Sequence, residues 1–75
     1  MEKITGAEFV INALGGITST ARSITKSPST VQGWKDRGRI PQDHWDDLIA
    51  VAAGRGLAVE YADFVKSHPK PVEAA

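Results

Sequence analysis

Between Thr18 and Arg39 the chain carries five basic residues, Arg22, Lys26, Lys35, Arg37 and Arg39, and a single acid, Asp36. Interleaved with them are small polar residues: Ser19, Thr20, Ser27, Ser29, Thr30 and Gln32. Such a mixture has chemistry to offer phosphates and base edges. Arginine and lysine neutralise phosphates, hydroxyls and amides bond them or the bases, and small residues let a backbone come close. The formal net charge of the whole chain is zero, which hides a segregation. Residues 18–39 hold a net +4 and the remainder a net −4. One positive surface on an acidic body is what a nucleic-acid footprint requires. A solvated helix face is the plainer reading of a charge run, so the charge serves as support rather than as proof.

Other chemistries find little here. There is no cysteine, and the two histidines, His44 and His68, lie far apart. Neither a disulfide nor a zinc site is expected. Asp43, Asp46 and Asp47 cluster, but aspartates in a first helical turn ordinarily serve the helix dipole. No Ser/His/Asp arrangement, phosphate loop or cofactor fingerprint appears, so no enzyme, cofactor or metal is expected. The N-terminus lacks an apolar signal region, and no apolar run approaches a membrane span. The expectation is a soluble, cytoplasmic protein. A chain of 75 residues makes one small domain. At that size stability must come from tight helix packing or from oligomerisation.

The elements that position the basic segment follow from local signals. Thr5 and Glu8 have the spacing of a capping box, with Ile4 placed to staple onto Phe9. Phe9, Val10, Ala13 and Leu14 make one apolar stripe, which Gly15-Gly16 terminates. Thr18 is read as the cap of a second helix that turns Ala21 and Ile24 inward. Ser27 caps a third, with Pro28 at its first position and Gly38 at its end. Val31 and Trp34 face the core. Trp45, Leu48, Ile49 and Ala52 give a fourth helix its apolar face, and Gly54-Arg55-Gly56 breaks it. Leu57 and Val59 fit an extended segment. A last helix from about Glu60 to Lys66 buries Tyr61 or Phe64 and Val65. Residues 1–66 form the domain, and 67–75 are expected to be a frayed tail. No strand pairing is expected. The fold class is all-α, a compact bundle of four to five helices containing a helix-turn-helix.

Several of these residues carry a family resemblance. Ala21 in the first helix, Ile24 before the turn, and Ser29-Thr30-Val31 opening the next helix match one pattern. Trp34-Lys35 and Arg37-Gly38-Arg39-Ile40-Pro41 continue it. Together, over about residues 9–54, they resemble the helix-turn-helix of the phage Cro and lambda-repressor-like DNA-binding proteins. They are similar also to the small YdaS/Cro-type prophage regulators. The resemblance implies a lambda-repressor-like fold whose recognition helix spans about residues 28–37. It places Pro28, Ser29 and Gln32 toward base edges, with Gly33 permitting close approach. Ser27 and Thr30 belong to the same front end. Ser19 and Thr20 would meet phosphates, and Arg22, Lys26, Lys35, Arg37 and Arg39 would neutralise them. The implied partner is a double-stranded operator bound by a homodimer, with Leu57, Val59, Tyr61, Phe64 and Val65 as candidates for the dimer contact. An antitoxin whose C-terminal segment binds a toxin, and an adaptor without DNA binding, are the alternatives.

Two positions depart from the pattern. Thr25 stands where the family often has glycine at the start of the turn, and Lys26 where an apolar residue is common. A β-branched residue with positive φ is strained. Either the turn takes another geometry or Thr25 stores strain.

Overall fold

The computed structural model describes residues 2–69. It is an all-α bundle of five helices, closed at one edge by a very short two-stranded ribbon. The elements run β1 (Lys3–Ile4), α1 (Gly6–Ala13), α2 (Ile17–Ser23), α3 (Pro28–Arg37), a 3₁₀ turn (Gln42–His44), α4 (Trp45–Gly54), α5 (Tyr61–Val65) and β2 (His68–Pro69). No described helix is long and apolar enough to cross a membrane.

The starts are built as the local signals require, with one exception. Thr5 accepts the Glu8 amide at 3.2 Å, and Ser27 accepts the Thr30 amide at 3.4 Å. Thr18, expected to cap α2, does not. Gly16 takes that place with φ 103°, and its carbonyl accepts the Thr20 amide at 3.0 Å.

The helix ends share one device. In each of α1 to α4 the chain leaves through a paired 6→1 and 5→2 hydrogen-bond motif with a left-handed residue at its centre. The 6→1 bonds are Gly16 to Ile11 at 2.9 Å, Lys26 to Ala21 at 2.9 Å, Arg39 to Trp34 at 3.0 Å and Leu57 to Ala52 at 2.8 Å. The left-handed residues are Gly15, Thr25, Gly38 and Gly56. Thr25, at φ 58°, is the one that is not glycine. The turn between α2 and α3 therefore keeps the glycine geometry and carries the strain of a β-branched residue. An L-residue in this region is disfavoured by about 1–2 kcal/mol, against about 0.5–1 kcal/mol of extra chain entropy that glycine loses on folding. Thr25→Gly is accordingly expected to stabilise the fold by about 0.5–1 kcal/mol. A denaturation midpoint at or below that of the parent would contradict this.

The core is drawn from every helix: Val10, Ile11 and Leu14 of α1, Ala21 of α2, Val31 and Trp34 of α3, Leu48 and Ala52 of α4, and Phe64 of α5. Ile40 and Val59 join it from the connections. Trp45 is half-buried, stacks on Phe64 at 4.9 Å, and donates its indole N–H to the Ile40 carbonyl at 2.8 Å. That bond fixes the turn after α3. The α5 start is a capping box, in which Asp63 accepts the Glu60 amide at 2.9 Å. Of the alternatives for the inward face of this helix, Tyr61 or Phe64 and Val65, only Phe64 is buried; Tyr61 and Val65 are 57% and 72% exposed.

The C-terminal reading is corrected too. His68 and Pro69 were placed in a frayed tail, and no strand pairing was expected. His68 pairs with Ile4, and Pro69 with Lys3, in an antiparallel register. The His68 ring is buried and stacks on Phe9, with centroids 3.6 Å apart and planes 6° from parallel. Its Nε2 lies 3.0 Å from the Asp63 carbonyl, which makes Nε2–H the donor. Residues 70–75, the rest of the expected tail, lie outside the described residues. His68→Ala is expected to cost about 2 kcal/mol, from the stacked pair and the lost hydrogen bond. Thermal melting, with faster amide exchange at Lys3 and Ile4, is the check; an unchanged melt would return His68 to the tail.

Candidate nucleic-acid interface

The segment that the resemblance assigns to a recognition helix forms α3, with the helix bounds expected for it. Its inward face is set by Val31 and Trp34, both buried. Trp34 also meets the His44 ring at 4.9 Å, which makes it a packing residue and not a platform for bases. At 100° per residue, burying Val31 and Trp34 turns Ser29, Gln32 and Asp36 outward, and all three are exposed. Gly33 lies beside them. A methyl group there would meet Arg37 Nη2 at 3.4 Å, so the Arg37 guanidinium reaches back along the helix toward Gly33.

At the front end the hydroxyls of Ser27, Ser29 and Thr30 form a cluster. Ser27 Oγ lies 2.9 Å from Thr30 Oγ1 and 3.2 Å from Ser29 Oγ. Pro28 occupies the first turn and is exposed. Further along, Gln32 Nε2 donates to Asp36 Oδ1 at 2.8 Å. A carboxylate only accepts, so this bond fixes which end of the Gln32 amide faces Asp36. It leaves Oε1 and the second Nε2 hydrogen free. Asp36 entered the sequence reading only as the lone acid among bases. Its place on the outward face, holding Gln32, could have been read from the four-residue spacing of Gln32 and Asp36.

Cations surround this face. Arg22, Lys26, Arg37 and Arg39 are exposed and Lys35 is half-buried. Among the described residues, none of the five lies in an ion pair; the pair between Lys66 and Asp63 is remote from them.

The two residues expected to meet phosphates from α2 separate. Thr20 is fully buried, and its hydroxyl donates to the Gly16 carbonyl at 2.7 Å, with Ile11 O at 3.4 Å. It braces α2 against α1 and is not available to a phosphate. Thr20 and Ala21 are the face of α2 that packs inward. Ser19 stays half-buried at the wall of a cleft of about 460 Å³ between α2 and the end of α4. The residue that reaches Ser19 is Arg55, a cation that composition alone groups with the acidic remainder of the chain. Its Nη1 donates to Leu14 O at 2.7 Å and to Ser19 Oγ at 3.3 Å, and its Nη2 to Ser23 Oγ at 2.8 Å. Forty-one residues separate Arg55 from Leu14, so no local signal could have found it.

The aspartates serve the helix start. Asp46 and Asp47 lie in the first turn of α4. Asp46 accepts the Tyr61 hydroxyl, and this hydrogen bond, with the carboxylate charge and slight desolvation, holds the Tyr61 pKa above the ordinary phenol value. Among the described residues no three His, Cys, Asp or Glu side chains are placed to hold a metal.

Gly33 offers a test that separates fold from function. Glycine inside a helix costs roughly 0.5–1 kcal/mol relative to alanine, and the space at Gly33 admits a methyl group. Gly33→Ala is expected to raise the melting temperature and, if α3 meets a duplex as the resemblance implies, to weaken that binding. Stabilisation with undiminished binding would mean that no duplex approaches this part of α3. Comparison with family models, with curated proteins and with solved structures gives no significant match to this chain.

Proposed function

We propose that the chain is a sequence-specific double-stranded DNA-binding protein of the Cro-like, lambda-repressor-like helix-turn-helix type, acting in the cytoplasm as a transcriptional repressor by occupying an operator. The observation that carries this reading is the outward face of α3. It presents hydroxyls and a pre-oriented amide, free of apolar bulk, amid five cations without acid partners among the described residues. In this reading Ser29 and Gln32 reach base edges from the front half of the helix, as a recognition helix does in the major groove. Ser27, Thr30, Lys26, Lys35, Arg37 and Arg39 meet phosphates on either side. The Thr25 turn supports it as well, because its left-handed geometry sets α3 against α2 in the way a glycine would.

One such helix reads few base pairs, so a two-fold dimer is part of the proposal, its recognition helices about 34 Å apart. Of the five apolar residues considered for the contact, Val59 and Phe64 belong to the core. Leu57, Tyr61 and Val65 remain exposed and are the residues assigned to it. The same exposed trio favours the second reading, in which this surface takes a different protein, as in an antitoxin-type regulator.

Amide shift mapping during titration with a mixed-sequence duplex tests the assignment. Perturbations are expected at Ser19, Arg22 and residues 26–39. Perturbations confined to 57–65, or none at all, would remove the DNA-binding reading.

A further inference from the structure

Two depressions in the surface share a wall. The cleft of about 460 Å³ is bounded by Gly15, Thr18, Ser19, Arg22, Ser23 and Arg55. A second, of about 250 Å³, is bounded by Thr18, Ala21, Arg22, Lys26 and Pro28. Thr18 and Arg22 border both, so the two depressions flank that row of α2, one toward the end of α4 and the other toward the first residue of α3. Arg55 borders the first, Lys26 the second, and Arg22 both. None of them has an acid partner among the described residues.

Arg55 is built into the first of these depressions. Both Nη1 hydrogens and one on Nη2 are engaged by Leu14 O, Ser19 Oγ and Ser23 Oγ. Ser23 Oγ is itself fixed, donating to the Ser19 carbonyl at 2.8 Å. All three acceptors are neutral, so the positive charge is held in place and not cancelled. The Nε–H and the remaining Nη2–H are left for a ligand. Guanidinium donors in a fixed fork match the paired oxygens of a phosphate.

We infer that Arg55, Arg22 and Lys26 form a track for successive phosphates of one DNA strand, leading that strand to the front end of α3. The track depends on the DNA-binding reading above and adds to it a contact from outside the helix-turn-helix. The ligand chemistry is a phosphate oxyanion, and its source here is the duplex backbone.

The test is the salt dependence of duplex binding by the full chain, for the parent, Arg55→Gln and Arg22→Gln. Each lost phosphate contact lowers the slope of log K against log salt by about 0.9, which amounts to roughly eight-fold in affinity at 0.1 M salt. Both variants are expected to show this loss and to keep the sequence preference of the parent. Parent slopes in both variants, or a change in Arg22→Gln alone, overturn the track and leave the DNA-binding reading standing. Failure of the parent to bind any duplex removes that reading and the track together. Arg55 also braces α1 and α2, so a measurement on the parent chain guards against an unfolded variant. The Nε–H signals of Arg55 and Arg22 are expected to shift when duplex is added, and an unmoved Arg55 signal overturns its role. Inorganic phosphate alone distinguishes the sources. If it shifts those signals while duplex, bound elsewhere on the chain, leaves them unmoved, the cleft is a free-anion site and the duplex assignment is overturned.

Discussion

Gly6→Ala is expected to destabilise the domain by about 3 kcal/mol, the upper end of what overpacking ordinarily costs. A methyl group on Gly6 would overlap the backbone carbonyls of Asp63 and Phe64. Neither carbonyl is the far end of a flexible side chain, so relief requires α5 to move off α1. Such a shift lifts Phe64 from the core and parts it from Trp45, on which it stacks. It also draws away the Asp63 carbonyl to which His68 is bonded. For a chain of this size the total stability is on the order of 4–11 kcal/mol, so the loss is a large fraction of it. Each kcal/mol moves the melting temperature of a domain this small by about 4–8 °C. A fall of 12 °C or more is therefore expected, with a change in tryptophan fluorescence from Trp45. A melting temperature within about 3 °C of the parent would show that α5 is not held against α1 at Gly6.

Gln32→Ala has the largest expected effect on function. Glutamine can read adenine with two hydrogen bonds, one accepted and one donated, and such a pair discriminates against a wrong base by about 1–3 kcal/mol. Asp36 holds the Gln32 amide by one Nε2 hydrogen, leaving the other hydrogen and Oε1 for that pair. The substitution should cost the preferred site about 5- to 150-fold in affinity, that range converted, and relax the preference at one base position. The fold should barely notice, because an exposed pair of this spacing contributes about 0.2–0.5 kcal/mol to a helix. Asp36→Ala separates the two roles of this pair. Removing the acid should tighten binding to every sequence, while freeing Gln32 should blunt its selectivity. Unaltered selectivity in Gln32→Ala would place the reading face elsewhere.

What was legible in the sequence was local. The start of α3 at Ser27-Pro28 and its end at Gly38 depend on residues within a turn of each other. The apolar faces of α3 and α4 follow from spacing alone. Thr25 shows where local reading stops: it admitted two geometries, and only the bonds from Lys26 to Ala21 and from Thr25 to Arg22 select the strained one. At the start of α2 a hydroxyl was the expected cap, yet Gly16 is used because it also closes α1. Both helix ends share Gly15 and Gly16, and a threonine two residues later is too late to cap. The rest was illegible because its partners are distant in the chain. His68 looked like tail until Phe9 and Ile4 came beside it. Nothing local marks Gly6, because α5, which lies against it, is distant in the chain. Within the candidate site, the split between Ser19 and Thr20 and the arrival of Arg55 have the same origin. Which face of a seven-residue helix turns inward is decided by what packs on it.

The central claim is that α3 reads sequence in double-stranded DNA. Selection of bound duplexes from a random pool, at about physiological salt, tests it most directly. An enriched inverted repeat is expected, its half-sites about 34 Å apart along the helix axis, as two copies of α3 in a two-fold dimer require. A pool that stays random, with weak binding that vanishes as salt rises, would contradict sequence-specific recognition by this face.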